Sequence, residues 1–461
     1  MARNLANSLV RWFFIQVRDP RYMTRHPQTI LLACLMLSSG LLGCFGSEEE
    51  KSTTELFVAS FELSAPAGEL FYYTVESNVD YRIEIDGAGF LVDENGVVRD
   101  GENWTYPAGF KSPGLFMHPV PGEFATLNIT AGEMTESINV SVIDAAGIVN
   151  GQSAYDTIDW LTTDHNNRWC GKGSIHDGGE NYAASAETMK QHLLDIGFDH
   201  VEVTEYEEDY LKDVVAYNYG EVYPDEWIVV GGHFDVAYAL TPPGGGTSEG
   251  ANDDTSGSTV SLEMAEALGT MNFDHTVVAA LWACEEEGLL GSLAFVDHIP
   301  ENITVKAYMN FDMVSLNYPI VPPPGYGPYD LGIAVAGASD ENHTVMLDWI
   351  ESAVVDELQY SPTSQNEIHW SAAESCASDH CSFFREGYAT FNFFSAGGDA
   401  SFWQEWHSGT DNLDFMEAKA GGEDGLASGF NTLVWISLQL FIHIDNTEPD
   451  EFQGRWVEST E

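Results

Sequence analysis

The sequence predicts an α/β fold, with a mainly parallel central sheet flanked by helices and a small all-β sandwich-like domain in front of it. Three observations predict this. From about residue 150 to 446, β-branched strand runs alternate with helix-period segments, as in strand–helix–strand units. From Leu56 to about Asp144, short runs rich in Val, Ile, Tyr and Phe are punctuated by Gly, Pro and Asn. The full length of 461 residues is too great for one ordinary domain.

The N-terminus reads as a leader. Arg25 precedes the apolar run Ile30 to Leu42, which is too short to cross a bilayer as a helix and ends in Leu41-Leu42-Gly43-Cys44. Basic, apolar, small and then Cys is the order of a secretory lipoprotein signal, so residues 1–44 are expected to be processed, leaving Cys44 as a lipid-bearing terminus. Translation from Met23 gives the more ordinary signal length, and an uncleaved anchor is the alternative reading. The polar, acidic stretch that follows, within residues 45–55, suits a tether. Either way the bulk of the chain is expected outside the cell, touching a membrane only through Cys44.

Charge excludes one class of partner. The chain has 73 acidic and 17 basic residues, and five of the basic ones, Arg3, Arg11, Arg18, Arg21 and Arg25, fall within the leader. Such a surface repels nucleic acid and anionic membranes, and it tolerates concentrated salt, where the screening length shrinks to about 3 Å at 1 M. A salt-adapted source is expected.

Taking the elements in order, Leu70 to Val75, Tyr81 to Ile85 and Ile138 to Ile143 are expected strands of the β-rich unit, residues 56–145. Asn103, Asn128, Asn139, Asn302 and Asn342 each open an acceptor sequon for glycosylation, a short motif that often matches by chance. After the small-residue boundary Ala145 to Gly151 the period changes. Tyr182, Ala186, Met189, Leu193 and Ile196 recur at three- and four-residue steps and stop at Gly197, which predicts an amphipathic helix with its C-cap. Strands follow at Val201 to Tyr206, Val214 to Tyr219 and Trp227 to Val230, then a helix at Ser258 to Leu268 that stops at Gly269. Further strands are expected at Thr276 to Trp282 and Lys306 to Phe311, and the alternation continues through Leu331 to Val335, Asn342 to Leu358, Ala389 to Phe394 and Ala427 to Ile442. Residues 447–461 form an acidic tail without apolar period.

Four cysteines follow Cys44. The near pair Cys376 and Cys381 is placed to close a tight loop, whereas Cys284, read as part of a central strand, is expected to be a buried free thiol. None has zinc-finger spacing.

The chemistry gathers at strand ends. The run Trp227 to Val230 delivers His233 and Asp235, and a Gly/Pro/Ser loop then returns Asp253 and Asp254 just before a helix. Thr276 to Trp282 leads into Ala283-Cys284-Glu285-Glu286-Glu287-Gly288, and Lys306 to Phe311 into Asp312. Ligands of open α/β sheets bind at the carboxyl ends of strands. His233, Asp253, Glu286, Asp312 and the late His407 make a hard, mixed O/N set suited to zinc, with cobalt or manganese as substitutes. A carboxylate shared by two ions holds them roughly 3.5 to 4 Å apart, where a bridging water is activated. Glu285, next to a ligand but directed elsewhere, is placed to take that water's proton, and Asp235 to pair with the other ring nitrogen of His233. Alone, each motif has a bland explanation: an Asp pair before a helix is more often an N-cap, and a Glu triplet in so acidic a chain a solvated turn. Their common position at strand ends is what accident rarely reproduces.

In order and wording these motifs, GGHFD, GANDDTSG, ACEEEGLLGS, NFDM, SDH and WHSGTDN, resemble the zinc-dependent exopeptidases that include the secreted leucine aminopeptidases, with glutaminyl cyclases, glutamate carboxypeptidases and the transferrin-receptor ectodomain as relatives. The resemblance covers roughly residues 150 to 446 and implies a dizinc aminopeptidase-like fold. Carried over residue by residue, it makes His233 and Asp312 ligands of one zinc and Glu286 and His407 ligands of the other. Asp253 bridges them and Asp254 does not; Glu285 is the general base, Asp235 supports His233, and Asp379 is a second supporting carboxylate. Aminopeptidases of the family can carry an oxyanion-holding tyrosine shortly before SDH, where this chain has Glu374-Ser375-Cys376-Ala377.

The resemblance implies peptide substrates, two Zn2+ per chain and removal of N-terminal residues. A carboxypeptidase would need a basic pocket for the substrate carboxylate, and cations are scarce here, Arg385 and Lys306 being among the few. A glutaminyl cyclase needs one zinc, against which the full ligand set argues. A binding protein that has lost catalysis is the alternative from another class.

Overall fold

The computed structural model describes residues 54–446 apart from 59–62, 67, 88, 112, 118–123, 144–146, 172–177, 199, 205, 239–247, 315–329, 337–367, 373–375 and 397–404. The expected leader with Cys44, the acidic tail and the segment Asn342 to Leu358 lie outside the described residues.

Eight strands form the main sheet: β1 His200–Val203, β2 Val214–Asn218, β3 Tyr223–His233, β4 His275–Trp282, β5 Thr304–Phe311, β6 Asp330–Ala336, β7 Ile368–Ala372 and β8 Thr390–Ala396. Their spatial order is β1-β2-β4-β3-β5-β8-β6-β7. The centre is parallel, β4 with β3, β3 with β5 and β5 with β8. Toward the edges β1 with β2, β2 with β4 and β6 with β8 run antiparallel. A parallel centre has to be covered on both faces. Accordingly every residue of β4, HTVVAALW, is buried, as are the last seven of β3.

The covering helices are α1 Gly151–Thr163, α2 Tyr182–Ile196, α3 Ser256–Leu268, α4 Leu290–Asp297, α5 His380–Arg385, α6 Leu413–Ala420 and α7 Glu423–Asn446. α2 ends where its pattern predicts, with Gly197 in the left-handed region at φ 109° and its N–H on the carbonyls of Leu193 and Leu194. α3 is buried on nearly all sides, against β3, β4, β5 and α7. α7 is long and apolar enough to span a membrane, yet most of it is buried inside the fold.

The N-terminal strands, expected as a small sandwich-like unit, form three small sheets of three, four and five strands, mostly antiparallel. Leu70 to Val75 divides into Leu70–Tyr72 and Val75–Ser77, which pair in different sheets. A five-stranded sheet is built on the hairpin Phe124–Ala131 and Met134–Ile143. Strand Tyr81–Gly87 beside it alternates buried Tyr81, Ile83 and Ile85 with exposed neighbours. This region has a core of its own around Val75, Ile83, Leu91, Leu127 and Ile129. Leu70, Val92, Val98 and Phe116, however, belong to the same apolar cluster as α7. Phe116 and Phe90 pack against Trp435 in tilted arrangements, with ring centroids 5.6 and 5.9 Å apart. Arg99 bridges Asp93 and Asp274 across the same seam.

Two further departures have local causes. α1 begins at the expected boundary itself: Asn150 caps it by accepting from the Gln152 N–H at 3.0 Å, and Ala154, Ile158 and Leu161 face the core. Cys284 is not a free thiol in a strand. β4 ends at Trp282, the chain turns through the left-handed region at Cys284 (φ 57°), and its sulfur is bonded to Cys170, with the two Cα atoms 5.1 Å apart. Cys376 is bonded to Cys381.

Candidate metal centre

The ladder register places three loops side by side. His233 at the end of β3 is level with Trp282 of β4, so Ala283 to Glu286 emerge next to it. On the other side Gly231 is level with Asn310 of β5, and Asp312 follows one residue past that strand. The stretch Ala251–Thr255 closes over these ends as a kinked turn leading into α3, with Asp253 (φ −113°, ψ 93°) and Asp254 (φ −130°, ψ 45°) outside helical geometry and a cis peptide bond between them. Small residues make the approach possible: a Cβ on Gly257 would lie 2.3 Å from the carbonyl oxygen of Phe311 and 2.3 Å from Asp254 Oδ2.

The five residues expected as metal ligands come together. Asp253 Oδ1 is 3.3 Å from His233 Nε2 and Oδ2 is 3.2 Å from His407 Nε2, so one carboxylate faces both imidazoles. Glu286 Oε2 is 2.9 Å from His407 Nε2, and Asp312 Oδ1 is 3.9 Å from His233 Nε2. Glu285 Oε2, 3.8 Å from His233 Nε2, borders the same space. His233 is buried, and His407, itself at φ 53° and covered by the exposed ring of Trp406, forms the open side.

Asp235 and three further carboxylates, to which the sequence reading gave no such role, hold the backbone of this site. Its carbonyl oxygen, not its carboxylate, is nearer His233 Nδ1, at 3.0 Å against 3.5 Å. The carboxylate instead accepts from the N–H of Glu285 at 2.9 Å and of Glu286 at 3.4 Å. Asp411 accepts from the N–H groups of Asn252 (2.8 Å) and Asp253 (3.1 Å). Asp254 Oδ1 accepts from Gly257 (2.9 Å) and Met313 (3.0 Å), tying the loop to the end of β5. Asp213 accepts from Ala283 at 2.8 Å. The position of Asp411, four residues after His407, is the sequence signal that could have found it. Asp379 accepts a hydrogen bond from Ser292, which also contacts Ser382, and feels the charge of His233 without a direct contact to it among the described hydrogen bonds.

Charge balance is the test of whether a cation fits. His233 Nε2, Asp254 Oδ2, Glu286 Oε1 and Asp312 Oδ1 are buried without a hydrogen-bond partner of acceptable geometry. Each buried unpaired polar group costs on the order of 1–3 kcal/mol, and charged groups cost more. Burial and the neighbouring carboxylates push Glu285 up to about 11, Glu286 to about 7 and Asp312 to about 6 in the protein alone. For Asp253 burial raises the carboxyl, but the hydrogen bonds and the charges of His233 and His407 together outweigh it and hold Asp253 below the usual carboxylate range. Carboxylate oxygens and imidazole nitrogens that lack protein partners are the donor chemistry of a divalent metal site. They cluster in two groups, His233 with Asp254 and Asp312, and Asp253 with Glu286 and His407, each with ligand atoms within 4.8 Å of one another. Asp254 therefore lies near enough to the first group to donate, although Asp253 is the residue that reaches both imidazoles.

Residues 213–423 match Peptidase family M28. Over this stretch, a little under half of the chain, the sequence is similar to that family. The M28 stretch holds every residue of the centre from Asp213 to Asp411. It is also similar to an aminopeptidase of Pseudomonas aeruginosa, 37% identical over 93 residues, which are 20% of this chain and 16% of the relative. A probable leucine aminopeptidase 2 of Aspergillus oryzae is 36% identical over 101 residues, 21% of this chain and 19% of the relative. The chain thus matches about a fifth of the length of these curated relatives. Among solved structures, the LapA aminopeptidase of Legionella pneumophila is 19% identical with a TM-score of 0.48, covering 65% of this chain and 73% of that one.

Proposed function

We propose that this chain is a metal-dependent aminopeptidase that hydrolyses N-terminal residues from peptides, with two zinc ions sharing Asp253. The observation that carries the reading is the carboxylate of Asp253 set between His233 and His407. His233 and Asp312 would hold one ion, Glu286 and His407 the other. The match of residues 213–423 to Peptidase family M28 and the aminopeptidases among the relatives support the reaction class.

Zinc bound here supplies Lewis acidity, which makes water a stronger acid and a peptide carbonyl a better electrophile. Glu285, at the rim of the site and free of the ligand contacts of its neighbour, accepts the proton of the attacking water and returns it to the leaving amine. Asp235 fixes the backbone of Glu285 and Glu286, so base and ligand are set from one anchor. The open side at His407 and Trp406 is where a peptide end would enter.

The leader supports secretion and a lipid anchor at Cys44, which would place the enzyme on the outer face of a cell, where disulfides persist. The test of the activity is a panel of aminoacyl anilides with N-acetylated controls and C-terminally blocked peptides, assayed with and without a chelator. Cleavage of free but not acetylated N-termini, abolished by the chelator, is expected. Cleavage indifferent to acetylation would overturn the aminopeptidase assignment.

A further inference from the structure

We propose that the segment Asn167–Cys170, which precedes the M28 stretch, is a strap that positions the three loops of the metal centre, with the Cys170–Cys284 disulfide as its tie to the turn carrying Glu285 and Glu286. The proposal rests on the function argued above for what the positioned groups do, but its geometry is independent of it.

Each residue but one of the strap reaches a different part of the site. Asn167, in the left-handed region at φ 57°, exchanges hydrogen bonds with Ser248: its N–H donates to the Ser248 carbonyl at 2.8 Å, and its Oδ1 accepts from the Ser248 N–H at 2.9 Å. That fixes the backbone just before the turn that carries Asp253. Arg168 is fully buried, and its guanidinium spans two loops, Nε donating to the Phe234 carbonyl at 2.7 Å and Nη2 to Thr255 Oγ1 at 2.6 Å. Phe234 follows His233, and Thr255 ends the turn that holds Asp253. Nη1 donates to the carbonyls of Leu161 and His165, so the side chain is anchored on α1 as well. Cys170 completes the set through its bond to Cys284, the residue before Glu285.

The arrangement is specific to the backbone it holds. Cys284 adopts a left-handed conformation that a non-glycine residue rarely takes without support. The turn around it is held from three directions: Asp213 on the Ala283 N–H, Cys170 on Cys284, and Asp235 on the Glu285 N–H. Arg168 also brings a positive charge beside Asp235 and Asp254, where the described ionisable groups are otherwise mostly acidic. A planar guanidinium with a fixed donor fork suits bridging of this kind, which an ammonium cannot reproduce.

The experiment compares the wild type with Cys170→Ala/Cys284→Ala and with Arg168→Lys, which keeps the disulfide. An Ile83→Ala variant in the core of the N-terminal sheets, with a comparable loss of thermal midpoint, controls for stability alone. Backbone hydrogen exchange over 248–256 and 283–291 is read in chelator-treated protein, and the rate of zinc loss to chelator, kcat and KM in loaded protein. Both strap variants are expected to exchange and to lose zinc at least tenfold faster than the control, with kcat down about tenfold and KM within twofold. Exchange, zinc loss and kcat equal to those of the control would overturn the strap. Failure of the wild type to bind zinc or cleave any anilide would instead remove the proposed function, and the exchange comparison would still decide the strap. If the double cysteine variant fails to fold, Arg168→Lys carries the same test.

Discussion

The carboxylate of Asp235 accepts a hydrogen bond from the backbone N–H of Glu285 at 2.9 Å. The residue two positions beyond a metal-facing histidine on β3 thereby orients the turn beyond β4, and does so through backbone rather than through the imidazole alone. Asp235→Asn keeps the side-chain shape but halves the acceptor capacity toward Glu285 and Glu286. A fall in kcat of about 10- to 100-fold with zinc retained is expected, the range for outer partners of metal sites. Kinetics together with metal content check it.

Glu285→Ala should keep both metals, because Glu285 stands beside the ligand groups rather than within them. Turnover should fall by at least about 10²-fold, the scale of a lost general base. Near-normal kinetics would remove Glu285 from that role.

Glu263 gives a pH effect away from the centre. It is buried on α3, accepts from Thr157 Oγ1 at 2.8 Å and from Ser153 at 3.4 Å, and burial pushes it up to about 8 from 4.5. Below pH 4.5 the carboxyl is protonated both folded and unfolded, and costs nothing. Between pH 4.5 and 8 the unfolded chain gains by ionising while the folded one does not, so stability is lost at up to about 1.4 kcal/mol per pH unit. Glu263→Gln removes that slope. Its thermal midpoint should match the wild type near pH 4.5 and exceed it at pH 8.5; an equal difference at both pH values would contradict the assignment.

The net charge of −56 predicts a salt response. Raising sodium chloride from 0.1 to 1 M shortens the screening length from about 10 to 3 Å and weakens repulsion across the acidic surface. The thermal midpoint should rise over that range. A midpoint that is flat or falling would argue against salt adaptation.

What could be read from the sequence follows from what kind of signal each feature leaves. His233 and Asp312 were legible because an apolar strand run ends just before each, and the parallel ladder then aligns those ends. Asp411 and Asp213 accept from backbone N–H groups far along the chain, as Asp254 does from Met313, and nothing in the sequence names those backbone partners. The bond of Cys170 to Cys284 spans 114 residues and depends on a left-handed turn past β4, so reading Cys284 as a strand residue concealed its partner. α1 was legible and overlooked: Asn150 as N-cap, then Ala154, Ile158 and Leu161 at helical steps, carry the signal. The packing of Phe90 and Phe116 on Trp435 was not, because α7 is apolar on nearly every side and its pattern names no preferred partner.

Anomalous diffraction from crystals of the zinc-loaded protein, recorded on both sides of the zinc edge, tests the centre most directly. Two peaks flanking the Asp253 carboxylate, roughly 3.5 to 4 Å apart, one beside His233 and Asp312 and the other beside Glu286 and His407, are expected. A single peak, or none between the two imidazoles, would contradict a shared Asp253.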